Sequence, residues 1–237
     1  MQEMMKDPRW YSALNVVAHF HSDFTSTNPP KKAEELWSVA IMITGMQEVE
    51  SSRYWLQPVS DNEGSPDVRT ITRHERPADD DRARDYTYQD VEVVTYTAAS
   101  YGVSLPDFLL QTKLSPKKAY DALTAILIWV KDAARCPPNT EWIAALKDIK
   151  LPIPVMLLGR SKATDPVYSL VQIHPAPRPL IEFNLPETLL KKGYTGVLNL
   201  RRGTKNITES RKGEEHCPFE SLGVKCLFKK PQEQPTQ

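Results

Sequence analysis

The most constraining feature of the chain is short. Ile126-Leu127-Ile128-Trp129-Val130 is an unbroken apolar run of strand length. A strand with one wet face alternates apolar and polar residues. A strand without alternation is expected to be buried on both faces, as in a sheet with helices above and below it. The neighbouring segments fit that demand. Strands are expected at Tyr54 to Val59, Val68 to Thr72, Tyr88 to Tyr96, Ile153 to Leu158 and Val167 to Ile173, with an edge strand at Leu180 to Leu185. A helix is expected over residues 31 to 50, where Ala33, Leu36, Trp37, Ala40, Ile43 and Met46 recur at helical spacing. Shorter helices are expected over residues 6 to 21, from Ser104-Leu105-Pro106-Asp107 onward, from Ser115-Pro116 through Leu123, and over residues 139 to 147 with Asn139 or Thr140 as cap. Strands alternating with helices give an α/β fold, a mixed central sheet with flanking helices.

Composition adds limits. A chain of 237 residues, 40% hydrophobic and 25% charged, is long enough for one α/β domain with an appendage or for two small domains. The expected division is an N-terminal helix and loop (1–30), an α/β domain (31–190) and a basic, loosely structured C-terminal extension (191–237). That extension holds ten Lys or Arg against five Glu, although the whole chain has zero formal net charge. Zero net charge argues against a non-specific polyanion binder and leaves the extension as the part nucleic acid would prefer. No apolar run approaches the roughly 18 residues of a membrane span, and no basic segment followed by an apolar one opens the chain, so the expectation is a cytoplasmic protein without a membrane partner. Cys136, Cys217 and Cys226 form no Cys-x-x-Cys pair. Even with His216 the zinc set is incomplete, so free thiols are expected.

The chemistry lies between Tyr54 and Tyr96. Asp90 and Glu92 stand two residues apart on a strand and share a face, while Val91 and Val93 take the other. Acids are depleted in strands, and two on one face repel unless a cation sits between them or water solvates both. Asp67, in Pro66-Asp67-Val68, can bring a third carboxylate from the neighbouring strand or turn. A few carboxylates plus water are how Mg2+ is held. Between these segments, residues 73 to 85 are almost entirely charged and read as a solvated hairpin tip; Asp79-Asp80-Asp81 within it would bind a cation only weakly.

Pro66-Asp67 followed by the acidic strand Asp90-Val91-Glu92-Val93-Val94 resembles the PD-(D/E)XK nuclease superfamily. The surroundings match as well: a helix bearing Glu34 and Glu35 precedes the motif, and a helix and an apolar strand follow it. The resemblance spans roughly residues 31 to 185. It implies a restriction-endonuclease-like fold, Mg2+ or Mn2+ held by Asp67 and by Glu92 or Asp90, and DNA as substrate. It also implies a Glu from the preceding helix beside the metal, for which Glu35 is the candidate; the plainer reading of Glu35 is a solvated acid near a helix N-terminus. The chain departs from the pattern at the lysine. Val94 occupies that position if Glu92 is the second acid, and Glu92 occupies it if Asp90 is. A third arrangement takes the lysine from the following helix, with Lys113 or Lys117 reaching back.

Two functions from different classes follow. One is a metal-dependent DNA endonuclease using Asp67, Glu92 or Asp90, Glu35 and Lys113, with a homodimer or larger assembly left open. The other is a nuclease-fold protein without catalysis that binds nucleic acid or protein.

Overall fold

Strand β5 (Thr124–Val130) is buried at all seven positions and forms the middle of the molecule. Ala125, Leu127 and Trp129 face one hydrophobic cluster, and Ile126, Ile128 and Val130 face a second. The unbroken apolar run is thus explained by two dry faces. Ile126, Leu127 and Ile128 have no exposed surface, and each contributes on the order of 2 kcal/mol of burial. The computed structural model of the chain describes residues 10–24, 30–59, 66–73, 86–114, 120, 123–149, 153–160, 166–193, 197–199 and 208–210.

Among these residues, ten strands form one sheet: β1 (Trp10–Ser12), β2 (Arg53–Pro58), β3 (Val68–Arg73), β4 (Tyr86–Tyr96), β5, β6 (Val155–Arg160), β7 (Val167–His174), β8 (Ile181–Asn184), β9 (Val197–Asn199) and β10 (Thr208–Ser210). Their spatial order is β10-β9-β1-β2-β3-β4-β5-β6-β7-β8. The β4–β5 and β5–β6 pairs are parallel and every other pair is antiparallel. The expected mixed α/β sheet is therefore present, and it holds the strands expected at 54–59, 68–72, 88–96, 126–130, 153–158 and 167–173, except that β2 stops at Pro58 and β6 starts only at Val155.

Helices cover both faces. On one side lie α1 (Ala13–Phe24), α2 (Lys31–Val49) and α5 (Leu185–Lys192). On the other lie α3 (Leu105–Gln111) and α4 (Asn139–Leu146). Every residue of α2 from Glu35 to Gly45 is buried, because the helix is wedged between the sheet, α1 and α5. A helix apolar all round belongs in such an interior. It lies tight against the sheet at Gly45, where an added Cβ would stand 2.5 Å from Phe183 Cε1 on β8. Lys192 of α5 donates to the carbonyls of Gln47 (2.5 Å) and Glu48 (2.9 Å), satisfying the C-terminal end of α2.

Several local expectations change. Residues 10 to 12 are strand rather than helix, since Ser12 ends β1 and caps α1: its Oγ accepts from the Asn15 N–H at 3.2 Å. The cap position of α4 is Pro138, not Asn139 or Thr140. Helix α5 takes over where an edge strand was expected to run on, because the Asn184 side chain accepts from the Glu187 N–H and Pro186 fits the first turn. Strands β9 and β10 come from the C-terminal extension and extend the sheet beyond β1. The rest of that extension, the 74–85 hairpin tip and the expected helix from Ser115 lie largely outside the described residues.

Candidate active site

Four pieces of chain meet around Glu92 and Val93 of β4. The first is Asp67, immediately before β3. The β3–β4 ladder begins at the pair Val68↔Val91. Beyond that pair the Asp67 side chain takes over the ladder's role, and its Oδ2 accepts the Val93 N–H at 2.8 Å. Pro66 cannot donate to a neighbouring strand, so β3 starts at this point and the carboxylate fills the vacated place.

Glu92 is the second piece. It shares its face of β4 with Val94 and Tyr96, which pack against Phe108 and Leu109 of α3. The third piece follows from that packing. Helix α3 ends at Gln111; the Thr112 N–H bonds to the Phe108 carbonyl, and the Thr112 hydroxyl donates to the Leu109 carbonyl at 3.1 Å. Leu114 is fully buried and anchors the turn, so Lys113 between them is directed back at the sheet. Its Nζ donates to Asp67 Oδ2 and lies 2.7 Å from Glu92 Oε2. Two oxygens that share one donor are within about 6 Å of each other. The two carboxylates therefore converge on a single point, and the cation at that point is an ammonium.

The N-terminal turn of α2 is the fourth piece. Lys32 Nζ stands 3.3 Å from Asp67 Oδ1 and 3.2 Å from Glu35 Oε2, and Lys31 Nζ is 3.5 Å from Glu35 Oε1. Neither Glu35 oxygen has a well-aligned hydrogen bond among the described residues, so charge holds these contacts. Glu35 is 3% exposed, which sets aside its reading as a solvated acid. The neighbouring Glu34 is engaged elsewhere. It accepts from Trp129 Nε1 at 3.0 Å and pairs with Lys131 at 2.7 Å, fastening α2 over β5.

The charges act on one another. Burial would raise the Asp67 pKa, but hydrogen bonds from Lys113 and the Val93 amide, with the charges of Lys113 and Lys32, hold it below its ordinary value. Glu35 goes the other way: burial and the Asp67 charge push it up, more than Lys32 and Lys31 pull it down. Burial alone would lower Lys113, yet Asp67 and Glu92 raise it and keep it charged. Tyr120 faces the same acids. Burial, then Glu92 and Asp67, push its phenol far up, and its buried hydroxyl has no hydrogen-bond partner among the described residues. It is a neutral hydroxyl within the influence of a negative site.

The structure thus brings together Asp67, Glu92, Lys113 and Glu35. Asp90 lies two residues before Glu92, opposite Arg69 on β3 and Thr124 on β5. Lys117 lies outside the described residues. Sequence reasoning does not single out Lys32 or Tyr120 as site residues; the available signal for Lys32 is its position one helical turn before Glu35. Among the described residues, no three His, Cys, Asp or Glu side chains gather into a set able to hold a metal unaided. Mg2+ commonly takes one or two carboxylates and completes its shell with water and substrate phosphate. Two hard oxygens converging on a cationic point fit that pattern, whereas a closed structural zinc site does not. Also among the described residues, no helix is long and apolar enough to cross a membrane. No family model, characterised protein or solved structure matches the chain.

Proposed function

We propose that the protein is a divalent-metal-dependent endonuclease of the PD-(D/E)XK type, with a restriction-endonuclease-like fold, that hydrolyses DNA phosphodiester bonds. The observation that carries this reading is Lys113. The motif has Val94 where the superfamily has its lysine, and an ammonium from the turn after α3 reaches both Asp67 and Glu92 instead. In this reading Asp67 and Glu92 hold Mg2+ or Mn2+. The bound ion supplies an activated water and stabilises charge developing on the phosphate. The Val93 amide and Lys32 fix the Asp67 carboxylate from two sides. Glu35, less acidic than an ordinary glutamate, orients the attacking water, and Lys113 supplies positive charge beside the scissile phosphate.

A second reading has its own support. Lys113 and Lys32 already pair with the acids, as in a self-neutralised structural cluster, and a binding module without catalysis would need no more. Incubating plasmid and single-stranded DNA with Mg2+ or Mn2+ separates the two. Cleavage by wild type, lost at least a hundredfold in Glu92→Gln, supports the nuclease; intact DNA with both ions at equal protein folding supports the binding module.

A further inference from the structure

We infer that Lys113 holds the place of the divalent cation in the unliganded protein, and that nucleic-acid phosphate draws it away, so that metal and DNA load the site together. The inference rests on the metal reading proposed above and adds to it an order of events and a coupling.

The geometry allows one cation at a time. Mg2+ bound by Asp67 and Glu92 would stand about 2.0–2.1 Å from an oxygen of each. The Lys113 ammonium already contacts Asp67 Oδ2 and Glu92 Oε2, the same pair. Of the three side chains Lys113 is the one with freedom to leave. Its side chain is 25% exposed against 5% for Asp67 and 4% for Glu92, and it rides on a flexible four-carbon stem. Asp67 cannot follow it, being tied to the Val93 amide and to Lys32. The departing ammonium needs another anion, and a DNA phosphate at the mouth of the site provides one. A ligand that relieves Lys113 of the carboxylates tightens metal binding by the same factor by which metal tightens binding of that ligand.

The test measures Mn2+ binding by electron paramagnetic resonance for wild type, Lys113→Gln and Lys113→Arg, with and without a short phosphorothioate DNA duplex. Without DNA, Lys113→Gln should bind Mn2+ at least tenfold more tightly than wild type, and Lys113→Arg as weakly as wild type. The duplex should tighten Mn2+ binding by wild type by a similar factor and leave Lys113→Gln nearly unchanged. If Lys113→Gln binds Mn2+ no better than wild type, the inference falls; wild-type DNA cleavage would then leave the nuclease reading standing. If neither protein binds Mn2+, both fall. The wild type alone gives a second readout. Acylation of Lys113 by an amine-reactive ester, quantified by peptide mass spectrometry, should rise severalfold at saturating Mn2+, and an unchanged yield overturns the inference.

Discussion

Replacing Asp67 by Asn separates a bridged pair of acids from a repelling one. On sequence grounds alone, two carboxylates facing each other repel, and neutralising one would relieve the protein. With Lys113 between them the sign reverses. Asp67 accepts from the Val93 amide, Lys113 and Lys32, and it is 5% exposed, so solvent screens little of this. Hydrogen bonds to charged groups contribute about 1.5–3 kcal/mol each. In the variant Lys113 keeps Glu92 and Lys32 keeps Glu35, so the net loss is nearer one such bond than two, about 2 kcal/mol. For a chain of this length that is a fall in Tm of roughly 4–8 °C. The pH dependence follows from the direction of the shift. The folded-state pKa of Asp67 is depressed, so its contribution is present above the unfolded value near about 4 and is lost as pH falls through the folded pKa. Thermal melts of wild type and Asp67→Asn in metal-free buffer should differ by that amount at pH 7 and converge in acid. Equal melting temperatures at pH 7 would refute the bridge, and a gap that persists undiminished in strong acid would assign the effect to shape rather than charge.

Three further outcomes follow from the same structure. Glu35 titrates above its ordinary range, so its ionised form is the costly one; the cost is absent below that range and grows as pH rises through the folded pKa. Calorimetry should accordingly find Glu35→Gln melting at or above wild type at pH 8 with the two converging near pH 4, and a variant several degrees less stable at pH 8 contradicts this. Tyr120→Phe removes a buried hydroxyl without a partner among the described residues, so urea unfolding should show a change between zero and a gain of about 1 kcal/mol; a loss above about 1 kcal/mol would mean that the hydroxyl is satisfied. Gly45→Ala gains about 1 kcal/mol of helix propensity but sets a Cβ 2.5 Å from Phe183 Cε1 and 3.1 Å from Leu170 Cδ2, where overpacking costs about 1–3 kcal/mol. Its unfolding midpoint should fall, and a rise would show that the Phe183 ring yields freely.

The core of the sheet is legible in the chain because strand patterns there are decided locally. Burial on both faces leaves β5 no polar residue after Thr124, and alternation puts Glu92 and Val93 on opposite faces of β4 whatever surrounds them. The ends of elements are less legible. Ser12, Pro138 and Asn184 set where α1, α4 and α5 begin; Ser12 and Asn184 stand in stretches whose apolar content suits strand or helix, and beside Pro138 both Asn139 and Thr140 offer cap side chains. In the site, Asp67 and Glu92 are visible as a motif, and Lys113 as one of two lysines able to reach back. Choosing Lys113 depends on where α3 stops and on Leu114 being buried, neither of which periodicity fixes. Lys32 reads only as part of the start of a helix, since nothing in the chain near it indicates that Asp67 will arrive beside it. Glu35 is the sequence candidate over Glu34, and the structure agrees, since Trp129 and Lys131 claim Glu34.

The bond from the Val93 amide to Asp67 Oδ2 makes the backbone of β4 a natural probe of the site. The proton on that amide points at an oxygen whose charge is shared with whichever cation is present. Its nuclear magnetic resonance frequency would therefore respond to any replacement of the ammonium by another cation, and its rate of exchange with deuterium would respond to any loosening of the carboxylate. One residue of ordinary chemistry, with an apolar side chain facing away into the core, thus reports on occupancy at equilibrium without a substrate, a dye or a mutation.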